Sequence, residues 1–152
     1  MKNQKILEPT GEQVRAIFRK HDLRCTRQRE IVYIALASTE QHPTAEDLHR
    51  LVHKVDPGLS LATVYNTLEA LVECGLGRRL SGGGGPCHYD ADMDPHVHVS
   101  LANGRVIDVP DDLSERLLAG LSPELIREIE QRMGVEVGGV GVSLSATERP
   151  PA

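Results

Sequence analysis

Three features of the chain predict an α+β fold in two parts, a winged-helix domain over residues 1–90 and a small α/β domain over residues 91–152. Four stretches with helical apolar spacing fill the first part, and three of them open on capping residues. A glycine-tipped hairpin follows them. The second part alternates apolar and polar residues around Asn103-Gly104 and then turns helical after Ser122-Pro123.

The elements follow in chain order. Glu12 to His21 carries Val14, Ile17 and Phe18 at helical spacing. Thr26 is placed to cap a second helix with Ile31, Val32, Ile34, Ala35 and Leu36. Thr44-Ala45-Glu46-Asp47 is a capping-box pattern for a third helix through Leu48, Leu51 and Val52. Pro57-Gly58 breaks the chain, and Ser60 caps a fourth helix whose stripe is Leu61, Val64, Leu68 and Leu71. That stripe leaves Ala62, Thr63, Tyr65, Asn66 and Glu69 on the outer surface, and Gly75 ends the helix. A strand at Arg78 to Leu80, the tip SGGGGP and a returning strand at Cys87 to Tyr89 complete a winged-helix pattern.

In the second part, strands are expected at His96 to Leu101 and Arg105 to Val109, joined by Ala102-Asn103-Gly104. One helix then runs from Ser122-Pro123 through Leu125, Ile126, Ile129 and Met133, and Val135 to Leu144 supplies a glycine-rich last strand. The tail SATERPPA reads as disordered. The expected core is Val97, Val99, Val106, Ile107, Ile126, Ile129, Val140 and Val142. One helix on three strands buries little, so an exposed face or edge is expected to pair with a second copy, giving a homodimer.

Composition narrows the function. The hydrophobic fraction of 39% suits a globular protein, no apolar run approaches a membrane span, and MKNQKILEPT lacks a signal's apolar core, so a cytoplasmic address is expected. Cys25, Cys74 and Cys87 form no C-x-x-C pair and read as reduced thiols rather than a disulfide framework or zinc site. The net charge of −5 is uneven: residues 1–90 carry 12 Lys/Arg against 11 Asp/Glu, and residues 91–152 carry 5 against 11. The first part, with its clustered arginines, is therefore the one able to meet phosphate.

Three stretches carry a family resemblance: LRCTRQREIVYIAL, HPTAEDLH and LSLATVYNTLEALVECGL, with GRVIDV after them. Over about residues 12 to 145 the chain resembles the ferric uptake regulator family, dimeric metal-dependent repressors with an N-terminal winged-helix DNA-binding domain and a C-terminal α/β dimerisation domain. The resemblance implies LSLATVYNTLEALVECGL as the recognition helix. It implies five metal ligands: His42 before Pro43-Thr44, Asp90 after Tyr89, the His96-x-His98 pair, and Asp108 on the following strand. Asp at both acidic positions is similar to the peroxide-sensing members, in which His42 and His96 are the matching positions for oxidation. LANG stands where the family usually has the first C-x-x-C of a structural zinc, and the chain's end has no cysteine, so no structural zinc is expected. GVEVGGVGVSL also lacks the histidine of the family's second site, and Arg27 replaces the usual proline at the start of helix two, which is expected to loosen that end.

Strand geometry bears on part of this set. His-x-His puts both imidazoles on one face, because side chains alternate. A two-residue turn at Asn103-Gly104 would pair Asp108 with Val99 and send it to the opposite face, whereas a three-residue loop at Ala102 to Gly104 pairs His98 with Asp108. Gly104 suits the three-residue loop, whose last position is left-handed. Imidazoles and carboxylates without thiolate suit Fe(II) or Mn(II) at one regulatory site, with Zn(II) accepted in vitro.

For DNA, Thr63, Tyr65 and Asn66 are the residues expected to face bases or phosphates, with Arg29, Arg78 and Arg79 as phosphate contacts. The expected partner is an AT-rich inverted repeat bound by the dimer. His49 and His53 read as surface residues, and SGGGGP lacks the Lys-Ser/Thr of a phosphate loop. Two other classes stand against a repressor: a metalloenzyme, for which no additional general base is present, and a metal-independent DNA-binding or scaffold protein with a vestigial site. The reading is that of a metal-dependent repressor and not of an enzyme.

Overall fold

Side-chain caps start all four helices of the N-terminal unit. The computed structural model describes residues 10–80 and 85–151, and the chain divides into two compact units, Met1–Met93 and Asp94–Ala152. Thr10 and Gln13 form a reciprocal capping box that begins α1 at Gly11–Lys20, one residue earlier than the sequence pattern places it. Thr26 accepts from the Arg29 N–H at 3.3 Å and starts α2, Arg27–Ser38, so the cap holds the end where Arg27 stands. Thr44 and Asp47 close a second capping box at 3.1 Å in each direction and start α3, Ala45–His53. Ser60 accepts from Thr63 at 3.1 Å and starts α4, Leu61–Glu73. Each cap satisfies a backbone donor that would otherwise lack a partner and contributes about 1 kcal/mol. Gly75, with φ +82°, adopts the left-handed turn after α4.

The apolar stripes of these helices meet in one core. Val14 and Phe18 of α1, Val32, Tyr33 and Leu36 of α2, Leu48 and Val52 of α3, and Val64, Leu68 and Leu71 of α4 are buried, with Phe18 packed edge-on against Tyr33 at 5.4 Å. Full burial of a Leu or Phe contributes about 1.5–3 kcal/mol, so this cluster carries the unit. His49, read from sequence as surface, is half-buried and bonds through Nε2 to the Leu59 carbonyl at 3.0 Å. It donates to the turn that leads into α4 and so fixes the angle between the last two helices.

The wing pairs β1, Arg78–Leu80, antiparallel with β2, His88–Asp90, in the register Arg78 to Asp90 and Leu80 to His88. The returning strand lies one residue later than Cys87–Tyr89 and so includes Asp90. Residues 81–84 of the predicted SGGGGP tip lie outside the described residues. A single bridge between Thr44 and His88, with the Tyr89 N–H on the Pro43 carbonyl at 2.9 Å, ties the wing to the segment before α3.

In the second unit, β3, Val97–Leu101, lies between β4, Val106–Asp108, and β5, Val142–Ala146. The first pair is antiparallel and the second parallel. A parallel neighbour needs a crossover, and two helices supply it: α5, Asp111–Ala119, and α6, Pro123–Met133. The sequence pattern anticipates α6 alone. Ser114 of α5 is buried, accepts from the Val97 N–H at 3.2 Å and donates to the Val109 carbonyl at 3.1 Å, clasping the open end of the β3–β4 hairpin.

Two further expectations are corrected. The last strand is not Val135–Leu144: residues 135–141 have no regular structure, and the strand begins at Val142, past Gly138, Gly139 and Gly141. It runs to Ala146, so the start of SATERPPA is sheet rather than tail, and Glu148 beyond it bonds Arg105 at 3.1 Å and Asn103 at 3.3 Å. Of the eight expected core residues Val97 alone is fully buried; Val99, Val106, Ile126 and Val142 are half-buried, and Ile107, Ile129 and Val140 are exposed. Helix α6 has no buried residue. Three short strands and two helices cannot cover one another's apolar faces within one chain.

Candidate metal centre and nucleic-acid face

The β3–β4 hairpin gathers three of the five expected ligands in one unit. Leu101 and Arg105 close a three-residue loop, with the Leu101 N–H on the Arg105 carbonyl at 2.8 Å, the Gly104 N–H on the Leu101 carbonyl at 2.9 Å, and Gly104 at φ +86°. The odd loop length sets His98 opposite Asp108. His96 stands one residue before β3 and still shares the face of His98, their rings 4.2 Å apart. Both imidazoles are buried, and their Nε2 atoms lie 3.4 Å and 3.3 Å from the same Asp108 Oδ1. Asp108 is half-exposed.

Tautomer chemistry shows what this arrangement can hold. His96 Nδ1 lies 2.7 Å from the Asp94 carbonyl oxygen, an acceptor, so Nδ1 carries the proton in the neutral ring. Its Nε2 then offers a lone pair toward a carboxylate that also offers lone pairs. A cation among these atoms converts that opposition into coordination, and the fixed Nδ1–H is the customary support for a ligating histidine. The donor chemistry fits a divalent ion.

The other two expected ligands belong to the N-terminal unit. His42 Nδ1 is 3.8 Å from Asp90 Oδ1, both side chains buried. Asp90 Oδ1 accepts from the Asp92 N–H at 2.9 Å. His88, two residues before Asp90, was missed by sequence reasoning; its Nδ1 donates to the His42 carbonyl at 2.6 Å. Together with the Thr44 bridge it fixes the segment carrying His42 beside the strand carrying Asp90. No spacing in the sequence signals it, because its partner is a backbone carbonyl 46 residues away.

On the outer face of α4, Tyr65 and Asn66 are exposed and Thr63 is half-exposed. Thr63 Oγ1 lies 2.9 Å from the cap Ser60 Oγ. The Tyr65 hydroxyl donates to Glu46 Oε1 of α3 at 2.7 Å. That bond raises the phenol above its usual range and holds the Glu46 carboxyl below its own. On the wing, exposed Arg79 forms an ion pair with Glu69 of α4, which raises its guanidinium further, and Arg78 is half-buried. Arg29 is held by the Arg24 carbonyl at 3.0 Å.

The profile of the ferric uptake regulator family matches residues 20–132. The ferric uptake regulation protein of Brucella abortus biovar 1 is 31% identical over 137 residues, 89% of this chain and 89% of that protein. The peroxide-responsive repressor PerR of Staphylococcus epidermidis is 30% identical over 94 residues, 61% of this chain and 63% of that protein, so the match spans less than two thirds of that relative. The structure of the ferric uptake regulator from Pseudomonas aeruginosa with manganese superposes at a TM-score of 0.67 with 27% identity, covering 90% of this chain and 98% of that one. Among the described residues no helix is long and apolar enough to cross a membrane. The chain belongs to the ferric uptake regulator family, whose members are transcriptional regulators and not enzymes.

Proposed function

We propose that this protein is a homodimeric repressor that binds DNA when one divalent ion, Fe(II) or Mn(II), joins its two units. The observation that carries the reading is the convergence of His96, His98 and Asp108 on one side of the hairpin, with no thiolate among them. His42 and Asp90 are the ligands the N-terminal unit would add, and buried His–carboxylate chemistry in that unit supports their role. An ion held by both units favours the closed arrangement over the open one by its differential affinity, and through it the spacing of the two recognition helices in a dimer.

On the DNA, α4 would enter the major groove with Thr63, Tyr65 and Asn66, while Arg29, Arg78 and Arg79 meet phosphates of an AT-rich inverted repeat. Arg79 must exchange Glu69 for phosphate to do so. Dimerisation would rest on the second unit, whose exposed Leu125, Ile129, Met133 and Leu144 suit a second copy, and structural zinc is not needed.

The finer reading is peroxide sensing. Bound Fe(II) supplies one-electron chemistry toward peroxide that Mn(II) does not share. His42 and His96 are the imidazoles expected to be oxidised, and an oxidised ring is a poor donor. Similarity to the peroxide-responsive repressor of S. epidermidis and the Asp at both acidic positions support it.

The test of the main reading is a gel-shift selection from a random-sequence duplex pool, with Mn(II) and with chelator. Enrichment of an inverted repeat with Mn(II), and its loss with chelator, is expected. A protein that enriches no sequence with Mn(II), or enriches the same one without metal, overturns it.

A further inference from the structure

Glu46 belongs to no expected contact set, yet it faces the same side of the N-terminal unit as Tyr65. It occupies the second position of α3, where its carboxylate is stabilised by the Tyr65 hydroxyl and its own backbone N–H. Its residue is exposed, and Tyr65 keeps 40% of its surface exposed. This bond therefore stands on the surface that the proposed function directs at the major groove.

The direction of this hydrogen bond has a consequence for base recognition. A tyrosine hydroxyl has one proton and two lone pairs. With the proton committed to Glu46, the outward side of the hydroxyl can only accept, and the second carboxylate oxygen can only accept as well. In the major groove the donors are the amino groups, N6 of adenine and N4 of cytosine, while O4 of thymine and O6 and N7 of guanine are acceptors. A free tyrosine hydroxyl would accommodate either kind. One paired with a carboxylate disfavours carbonyl-bearing edges, because lone pairs would face lone pairs.

We infer that Glu46 is a specificity-determining residue: by holding the Tyr65 proton, it makes this pair read an amino-bearing base, adenine or cytosine, at one position in each half-site. The inference rests on the proposed DNA-binding function and adds the chemistry of the base contacted. Glu46 acts through Tyr65, as the acceptor that orients its hydroxyl. Its negative charge also sets a cost against non-specific phosphate contact, so it favours discrimination over affinity.

The test uses full-length protein with Mn(II) and the random-sequence duplex pool, followed by analogue substitution in the enriched duplex. Replacing adenine by 2-aminopurine, or cytosine by 2-pyrimidinone, removes the amino donor from the major groove and keeps the pairing with thymine or guanine. In the wild type one such exchange per half-site is expected to weaken binding on the order of fivefold to tenfold, less than a bidentate contact gives. Glu46→Ala is expected to abolish or invert that preference at this position alone, leaving the others intact, with overall affinity equal or higher. Tyr65→Phe is expected to remove it, and the double variant to match Tyr65→Phe. Retention of the wild-type preference by Glu46→Ala at every position overturns the inference, as does a uniform loss across all sequences, which would mark a structural role. Absence of any enriched sequence in the wild type overturns the DNA-binding reading itself.

Discussion

His98 of β3 and Asp108 of β4 stand opposite one another, with Nε2 3.3 Å from Oδ1, across a hairpin whose loop has three residues, 102–104. Side chains alternate along a strand, so a slip of one residue turns Asp108 to the other face. Deleting the exposed Ile107 would keep the three-residue loop and pair Asp108 with Val99. Calorimetric titration of the variant with Mn(II) is expected to show affinity lowered at least tenfold, with circular dichroism unchanged. Undiminished Mn(II) affinity would remove Asp108 from the ligand set.

The N-terminal half depends on a different bond. The His88 imidazole donates to the His42 carbonyl, and the adjoining bridge to Thr44 completes the clasp. Supporting bonds around ligands cost about 10–100-fold in metal affinity when removed. His88→Ala is expected to weaken Mn(II) binding by roughly tenfold at unchanged thermal stability of the metal-free protein, and His88→Asn, whose amide N–H sits where Nδ1–H does, to recover most of it. Equal loss in both variants would assign His88 some other role than holding the His42 backbone.

Legibility from sequence followed the strength of local chemistry. Thr26, Thr44 and Ser60 announced three helices because a hydroxyl ahead of an apolar stripe has one backbone use. Register at His98 was legible because Gly104 admits a left-handed backbone. Helix α5 was not legible: Pro110 provides no capping side chain, Leu113 and Leu117 remain exposed, and its one fully buried contact is the small polar Ser114. The last strand was misplaced because valines alternate with glycines at 135–141, while the true strand VSLSA reads as polar. His88 was missed because its partner is a backbone carbonyl 46 residues away, which no spacing reveals.

Apolar exposure in the second unit predicts how copies associate. Ile129 and Met133 are four residues apart on α6, a helix with nothing buried within its own chain. Sedimentation of Ile129→Glu is expected to show monomer where the wild type shows dimer, because a carboxylate there would be desolvated without a partner. The wild type after exhaustive chelation is expected to stay a folded dimer, since Cys25, Cys74 and Cys87 form no C-x-x-C pair. Collapse to unfolded monomer on chelation would reveal a structural metal.

Peroxide distinguishes the finer reading from plain metal sensing. His96 lies beside Asp108 on the hairpin, and His42 beside Asp90 in the other unit, so both imidazoles are placed among carboxylates that attract a divalent ion. Protein loaded with Fe(II) or with Mn(II), exposed to peroxide and digested with trypsin, separates the two cases by mass. A gain of one oxygen on His42 or His96 is expected with Fe(II) and not with Mn(II), accompanied by loss of DNA binding in the iron-loaded sample alone. Replacing His96 by Ala should shift any remaining oxidation to His42 while weakening metal binding overall. If both histidines keep their mass and the iron-loaded protein still binds DNA after peroxide, the protein answers to metal supply and not to peroxide.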